Sequence, residues 1–337
     1  MGMAVKFKKE RDIMAKHILL TGAAGFIGHK TAEGLLKQGH TVVGVDNMND
    51  YYDVSVKRHR LNELKPLKGF SFHKIDIENL ALCKRIFAKN KFDAVVNLAA
   101  RAGVRYSLIN PHVYYSTNTA ATVNLLELCK DYNVKKFVLA STSSLYAGQK
   151  MPFKETLPVN TPISPYAASK KGAEVSCYTY HDIYDIDVTV LRYFTVYGPA
   201  GRPDMCVFRF IKWIDEGKPI ELFGDGTQSR DFTYVNDIAA GTIKAIRKVG
   251  FETINLGGGK SPHTLNHLIS LIEKYLGKKA RVKQFPMPKC DMMETWADIS
   301  KAKKILKWEP KIELELGVKH SVEWYLANKK WLKNVKL

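Results

Sequence analysis

With 337 residues, 45% hydrophobic and 25% charged, the chain has the make-up of a soluble globular protein with a large core, and no apolar run reaches the length of a membrane-spanning helix. The net charge of +19 gathers partly at the ends, with ten Lys against four Glu over residues 300–337; no nucleic-acid-binding motif accompanies it, so it reads as solvated Lys-rich surface plus a basic cleft for a doubly charged anion. The cysteines at 83, 129, 177, 206 and 290 are odd in number with no close pair, which reads as reduced thiols of a cytoplasmic protein and not as a disulfide frame or a zinc site.

Residues 1–16 are charged and lack the apolar stretch of a secretory signal, so they read as an N-terminal extension, with Met14 an alternative start. From His17 onward, short apolar runs alternate with amphipathic stretches. HILLTG (17–22), TVVGVD (41–46), FSFHKID (70–76), DAVVNLAA (93–100), KFVLAST (136–142) and DVTVLRYF (187–194) read as buried strands, and 26–39, 79–89, 113–132 and 165–184 as helices between them. This alternation predicts an α/β fold with a doubly wound, Rossmann-type parallel sheet over 17–195, rejoined by about 235–257 with a seventh strand at 253–257. Residues 196–234 and 258–337, where Gly and Pro clusters loosen the pattern, are expected to form a smaller, mostly helical lobe. His263 and His267 have metal-like spacing but no third ligand nearby, and read as polar residues at a helix start, so no metal is expected.

The first strand runs into Gly22-x-x-Gly25-x-x-Gly28, with Phe26 and Ile27 opening the next helix. Glycines there let backbone approach a pyrophosphate, which caps the helix N-terminus. Asp46, followed by Asn47, ends the second strand, where an acid binds adenosine ribose hydroxyls and disfavours a 2′-phosphate; the expected cofactor is therefore NAD rather than NADP. In SPYAASKKGAE, Tyr166 and Lys170 share one helix face, and a neighbouring ammonium is expected to lower the phenol's pKa and make it a usable base. The fifth strand ends on Ser141-Thr142-Ser143-Ser144.

The glycine turn, the Ser/Thr cluster and Tyr166-x-x-x-Lys170, in this order over nearly the whole chain, resemble the extended short-chain dehydrogenase/reductases. That resemblance implies Tyr166 as acid/base, Lys170 on the nicotinamide ribose and Thr142 on the reacting hydroxyl. It also implies adenine contacts at Asp76 and Ile77, and cofactor contacts at Leu98, Ala99, Ala100 and Tyr193. Asn118 matches the family's helix asparagine, which implies a place at the cofactor, and a solvent-facing polar residue is the equal alternative. Related dehydratases and decarboxylases place carboxylic acids just after the threonine. Here those positions are Ser143 and Ser144, which cannot do that work and are expected to hold substrate, so the chain resembles the NAD-dependent nucleotide-sugar epimerases. The implied cycle oxidises C4 of the sugar, turns the 4-keto intermediate over and reduces it on the other face, with Tyr166 taking and returning the proton.

Three segments, 47–61, 101–111 and 192–205, resemble UDP-glucuronate 4-epimerases. This implies Thr195 and Arg202 near the C5 carboxylate, for which a hydroxyl and an arginine fork are suited, and Arg105 among the substrate contacts. Arg230 resembles the family's diphosphate arginine. FGDGTQSRDF (223–232), Asn97, Arg101 and Cys290 depart from the glucuronate pattern, so UDP-glucose and UDP-N-acetylglucosamine stay open as substrates. The family implies a homodimer through helices 113–132 and 165–184, and a uronate epimerase most often feeds surface polysaccharide.

Overall fold

A computed structural model of the chain describes residues 15–260, 262–288 and 290–337; most of the expected N-terminal extension lies outside them. Its centre is a parallel sheet of seven strands: β1 (His17–Thr21), β2 (Thr41–Asp46), β3 (Phe70–Lys74), β4 (Ala94–Asn97), β5 (Lys136–Thr142), β6 (Asp187–Tyr193) and β7 (Phe251–Leu256). They lie in the order β7-β6-β5-β4-β1-β2-β3, the doubly wound arrangement that the apolar runs predict. β4 and β5 are buried along their whole length, because helices cover both faces. β3 corrects the expectation of a buried strand. It is the sheet's edge and alternates half-buried and exposed, with Phe70 and Phe72 on the inward side and His73 and Lys74 in solvent.

The covering helices are α1 (Phe26–Lys37), α2 (Val54–Leu64), α3 (Leu80–Ala88), α4 (Val104–Ile109), α5 over 112–131, and α6 (Pro165–Tyr184). α6 starts as a helix should: the Ser164 side chain accepts from Ala167 N at 3.2 Å and Pro165 occupies the first turn. α5 carries a π turn over Tyr115–Ala120.

Later helices α7 (Cys206–Asp215), α9 (Leu265–Leu276) and α10 (Leu314–Leu332), with α8 (Val235–Lys244) between the first two in sequence, complete the chain. α7, α9 and α10 share a core of their own around Phe208, Ile211, Leu268, Ile272, Val318 and Val322, which Val56 of α2 also joins. Short strand pairs that the sequence pattern does not show, Ile220–Phe223 with Val282–Phe285 and Ser229–Arg230 with His263–Thr264, flank these helices.

Under the sheet's C-terminal end runs a buried polar network. Glu174 of α6 accepts from Ser141 Oγ at 2.6 Å and from Arg192 Nε and Nη2 at 2.9 and 2.7 Å. Arg192 Nη1 donates to the Tyr146 phenol at 2.8 Å, which donates to Asn255 Oδ1 at 2.8 Å. The carboxylate therefore joins α6 to β5 and β6 at the level of Lys170. Removing one member of a buried pair leaves an uncompensated charge. Glu174→Gln is expected to lose about 3–5 kcal/mol in urea denaturation, and adding Arg192→Met is expected to recover part of it. Additive losses would show that the two residues do not act as a pair.

Candidate active site

Strand order reverses between β1 and β4, and there the carboxyl ends of the strands frame a crevice. It is a cleft of about 410 Å³ whose lining draws on the ends of β1, β2, β4, β5 and β6.

The glycine turn forms its floor. Gly22 has φ +68°, and a Cβ there would meet Ala99 N at 2.8 Å; a Cβ on Gly28 would meet Gly22 O at 2.0 Å. The start of α1 thus rests directly on the turn, and any side chain would force the two apart. Gly25, Phe26 and Ile27 complete this wall, and the first turn of α1 holds no acidic residue, so its free amides face the cleft without a competing anion. Thr21 locks the turn to β4: its hydroxyl donates to Asn97 Oδ1 at 2.6 Å and accepts from Ala99 N at 3.1 Å. Asn97 is therefore a buried brace between strands.

Asp46 and Asn47 lie along one side, with Asp76 and Ile77 beside them. Asp46 Oδ1 accepts from Met48 N at 2.8 Å and lies 3.4 Å from the Lys57 ammonium, while Asn47 Nδ2 donates to Asp76 Oδ2 at 2.7 Å. Leu98, Ala99 and Ala100 line the middle. Tyr193 lines it from β6, its phenol bonded to Thr242 at 2.8 Å. A turn with no side chains, an anion-ready helix start and an acid at the end of β2 fit the dinucleotide expected from the sequence.

Asn118 is placed differently from either expectation. It is buried in the π turn behind the cleft wall, where its Oδ1 accepts from Arg101 N at 2.8 Å and its Nδ2 donates to Arg101 O and Ser169 Oγ, each at 2.9 Å. It is not solvent-facing; it holds the 100–103 loop to α6.

Tyr166, Lys170, Thr142, Ser143 and Ser144 all line the cleft. Thr142 Oγ1 accepts from Ser144 N at 3.1 Å, and the Thr142 side chain favours the Tyr166 phenolate, against the effect of burial. Lys170 Nζ donates to Ala140 O at 2.8 Å. Burial pushes Lys170 down to about 8, while Glu174, one helical turn on, pulls it up. The expected lowering of Tyr166 by Lys170 is overturned. Burial raises the phenol above its ordinary value, and the groups that oppose it are the Thr142 side chain and the charge of Arg202. Desolvation of a phenolate wins in this pocket, while the ammonium is engaged by the Ala140 carbonyl.

Thr195 and Arg202 line the same cleft. The Arg202 guanidinium is gripped by Asp204, Nε to Oδ1 at 3.0 Å and Nη2 to Oδ2 at 2.5 Å, and lies 5.6 and 5.8 Å from the ring centres of Tyr51 and Tyr52. The charge of Arg202 favours the Tyr51 phenolate against the effect of burial, and the Tyr114 ring meets Tyr166 edge-on at 6.1 Å. Asp204, Tyr51 and Tyr52 escaped the sequence reading at residue level; their signals were adjacency to Arg202 and membership of the 47–61 segment.

Arg105 and Arg230 do not line this cleft. Arg105 of α4 stacks 4.0 Å from the Phe223 ring centre and pairs with Asp291 at 2.5 Å. Arg230 Nη1 donates to Ser229 O and Met293 O, and burial together with the charge of Arg105 lowers its pKa. The two arginines form one basic cluster around Asp291. His263 and His267 stack on each other with ring centres 5.3 Å apart.

Residues 18–257 match the family model described as the NAD dependent epimerase/dehydratase family. A curated relative, UDP-glucuronate 4-epimerase of Thermodesulfobacterium geofontis, is 58% identical over 321 residues, 95% of this chain and 99% of that one. Among solved structures, UDP-glucuronic acid 4-epimerase from Bacillus cereus in complex with UDP-glucuronic acid and NAD superposes with a TM-score of 0.87 at 38% identity, covering 93% of this chain and 99% of that one. UDP-glucose 4-epimerase of Thermotoga maritima, solved with UDP-glucose, gives a TM-score of 0.85 at 33% identity over the same shares.

Proposed function

This chain belongs to the NAD dependent epimerase/dehydratase family, and we propose that it is an NAD-dependent 4-epimerase that interconverts UDP-glucuronate and UDP-galacturonate. The observation that carries this reading is the meeting of Tyr166 and Arg202 in one cleft, with hydroxyls and no carboxylate following Thr142. The glycine turn and the start of α1 would hold the pyrophosphate of NAD, Asp46 its adenosine ribose, and Lys170 the nicotinamide ribose. Bound NAD supplies a reversible hydride acceptor.

The chain's own groups do the rest. Tyr166 takes the proton of the 4-hydroxyl and returns it after the sugar has turned, and Thr142, which lines the same cleft, orients that hydroxyl. Ser143 and Ser144 offer hydroxyls to the turning sugar without acid or base chemistry at C5. Arg202 and Thr195 take the C5 carboxylate, while the Arg105–Arg230 cluster suits the diphosphate. A 4-keto uronate is a β-keto acid, so a firm grip on its carboxylate also opposes loss of CO2.

A homodimer is part of this reading. Its support is a run of exposed apolar side chains on α4 and α6, among them Ile109 at 78% exposure and Ile183 at 62%. The five free thiols suit the cytoplasm, and the product would serve surface polysaccharide synthesis.

Proton NMR of the protein with UDP-glucuronate is expected to show UDP-galacturonate growing to a stable mixture, with Tyr166→Phe slowing it by at least about 100-fold. A UDP-pentose would mean a decarboxylase, and turnover of UDP-glucose alone would move the substrate to a neutral hexose. With Lys170 at about 8 in the free protein, its ammonium is lost as pH rises through that value, so kcat/KM is expected to fall on the alkaline side of about pH 8; a flat profile to pH 10 would remove Lys170 from that role. Sedimentation velocity is expected to give a dimer that Ile183→Glu converts to monomer, and a monomeric parent protein would end that part of the reading.

A further inference from the structure

The segment 47–61 builds the loop after β2 and most of α2, and its Arg60 is completely buried without an ion pair among the described residues. Such a guanidinium is tolerable only if its donors find oxygens. Here they do. Nε and Nη2 donate to Ala200 O at 2.9 and 2.7 Å, Nη2 also to Gly201 O at 3.0 Å, and Nη1 to Ala24 O at 3.2 Å and the Tyr52 phenol at 2.7 Å. Its carbon lies 5.7 and 5.6 Å from the ring centres of Phe26 and Tyr52.

These partners belong to two places that matter. Ala24 is inside the glycine turn. Ala200 and Gly201 immediately precede Arg202, and Ala200 sits at φ +53°, a left-handed conformation that an alanine adopts only when its surroundings impose it. We propose that Arg60 is a positioning residue that ties the Ala200–Gly201 turn to the nucleotide turn and thereby sets where Arg202 presents its guanidinium, so that recognition of an anionic sugar depends on a residue that never touches it. This rests on Arg202 being the ligand of the substrate carboxylate. The control is divided: Arg60 fixes the main chain before Arg202, and Asp204 and Tyr51 fix its side chain. Lysine cannot replace Arg60, because three donors on one atom cannot span Ala24 and Ala200.

The test is titration calorimetry of the NAD-loaded protein with UDP, UDP-glucose and UDP-glucuronate, for the parent chain, Arg60→Lys, Arg202→Met and the double variant. Arg60→Lys is expected to weaken UDP-glucuronate by about tenfold, the scale of lost hydrogen bonds to a charged group, and to leave UDP and UDP-glucose unchanged. In the Arg202→Met background the same change is expected to add nothing, because the two act through one contact. Equal weakening of all three ligands, or losses that multiply in the double variant, overturns the proposal. Arg202→Met that leaves UDP-glucuronate binding intact overturns instead the assignment of Arg202, whatever Arg60 does. Should Arg60→Lys not fold, Tyr52→Phe removes one acceptor from the same cluster. A smaller loss confined to UDP-glucuronate is then expected, and a loss shared by UDP counts against the tie.

Discussion

A cation removed from water has to find an oxygen, and in this protein that requirement fixes the loops around the cleft. Arg60 finds the carbonyls of Ala24, Ala200 and Gly201, Lys170 that of Ala140, and Arg192 the carboxylate of Glu174. Each bond joins separate elements: α2 to two turns, α6 to β5, β6 to α6. Main-chain oxygens are unusual partners for buried charge, and they carry a consequence. A carbonyl cannot be removed by substitution, so where the partner is main chain the bond is vulnerable chiefly at the cation.

The same economy shapes the charges that line the cleft. Arg202 is the cation whose charge acts on Tyr166, and its fork is shared with Asp204. Lys170 lies deeper and is poised by burial against Glu174. On the proposed function the site separates two tasks by burial: the more deeply buried Lys170 would serve the dinucleotide, and the half-buried Arg202 the substrate. The sequence spacing of Tyr166 and Lys170 suggested a direct effect of one on the other, and burial outweighs it.

How much was legible follows the same division. The strands of the sheet were readable because β-branched runs with both faces covered leave a continuous apolar signature, and the glycine turn because close backbone approach admits only glycine. β3 was misread because Phe70 and Phe72 dominate a run whose alternation is that of an edge. α2 was missed because VSVKRHRLNEL has no apolar stripe, yet its Arg60 is fully buried. Asp204 and Asp291 were missed for another reason. Their meaning comes from the arginines they meet, and Arg105 meets Asp291 across 186 residues of sequence. Periodicity reports which face is buried; it carries nothing about which buried charges will be paired.

An epimerase has a demand that a simple dehydrogenase lacks: its sugar must leave one orientation and settle in another without leaving the protein. On the proposed function the anchoring is at two ends, with Arg105 and Arg230 at the diphosphate and Arg202 at the carboxylate. Turning about the diphosphate linkage can leave the first anchor in place, but it must release the second. A bare guanidinium half-buried beside Tyr51 and Tyr52 would resist that release. Asp204 removes the difficulty, since it already occupies the Nε–Nη2 edge. The outer edge can then lose and regain a carboxylate while the charge stays compensated. On that reading the Asp204 pairing, together with the Arg60 tie behind it, would keep Arg202 in one place through a cycle in which its ligand moves.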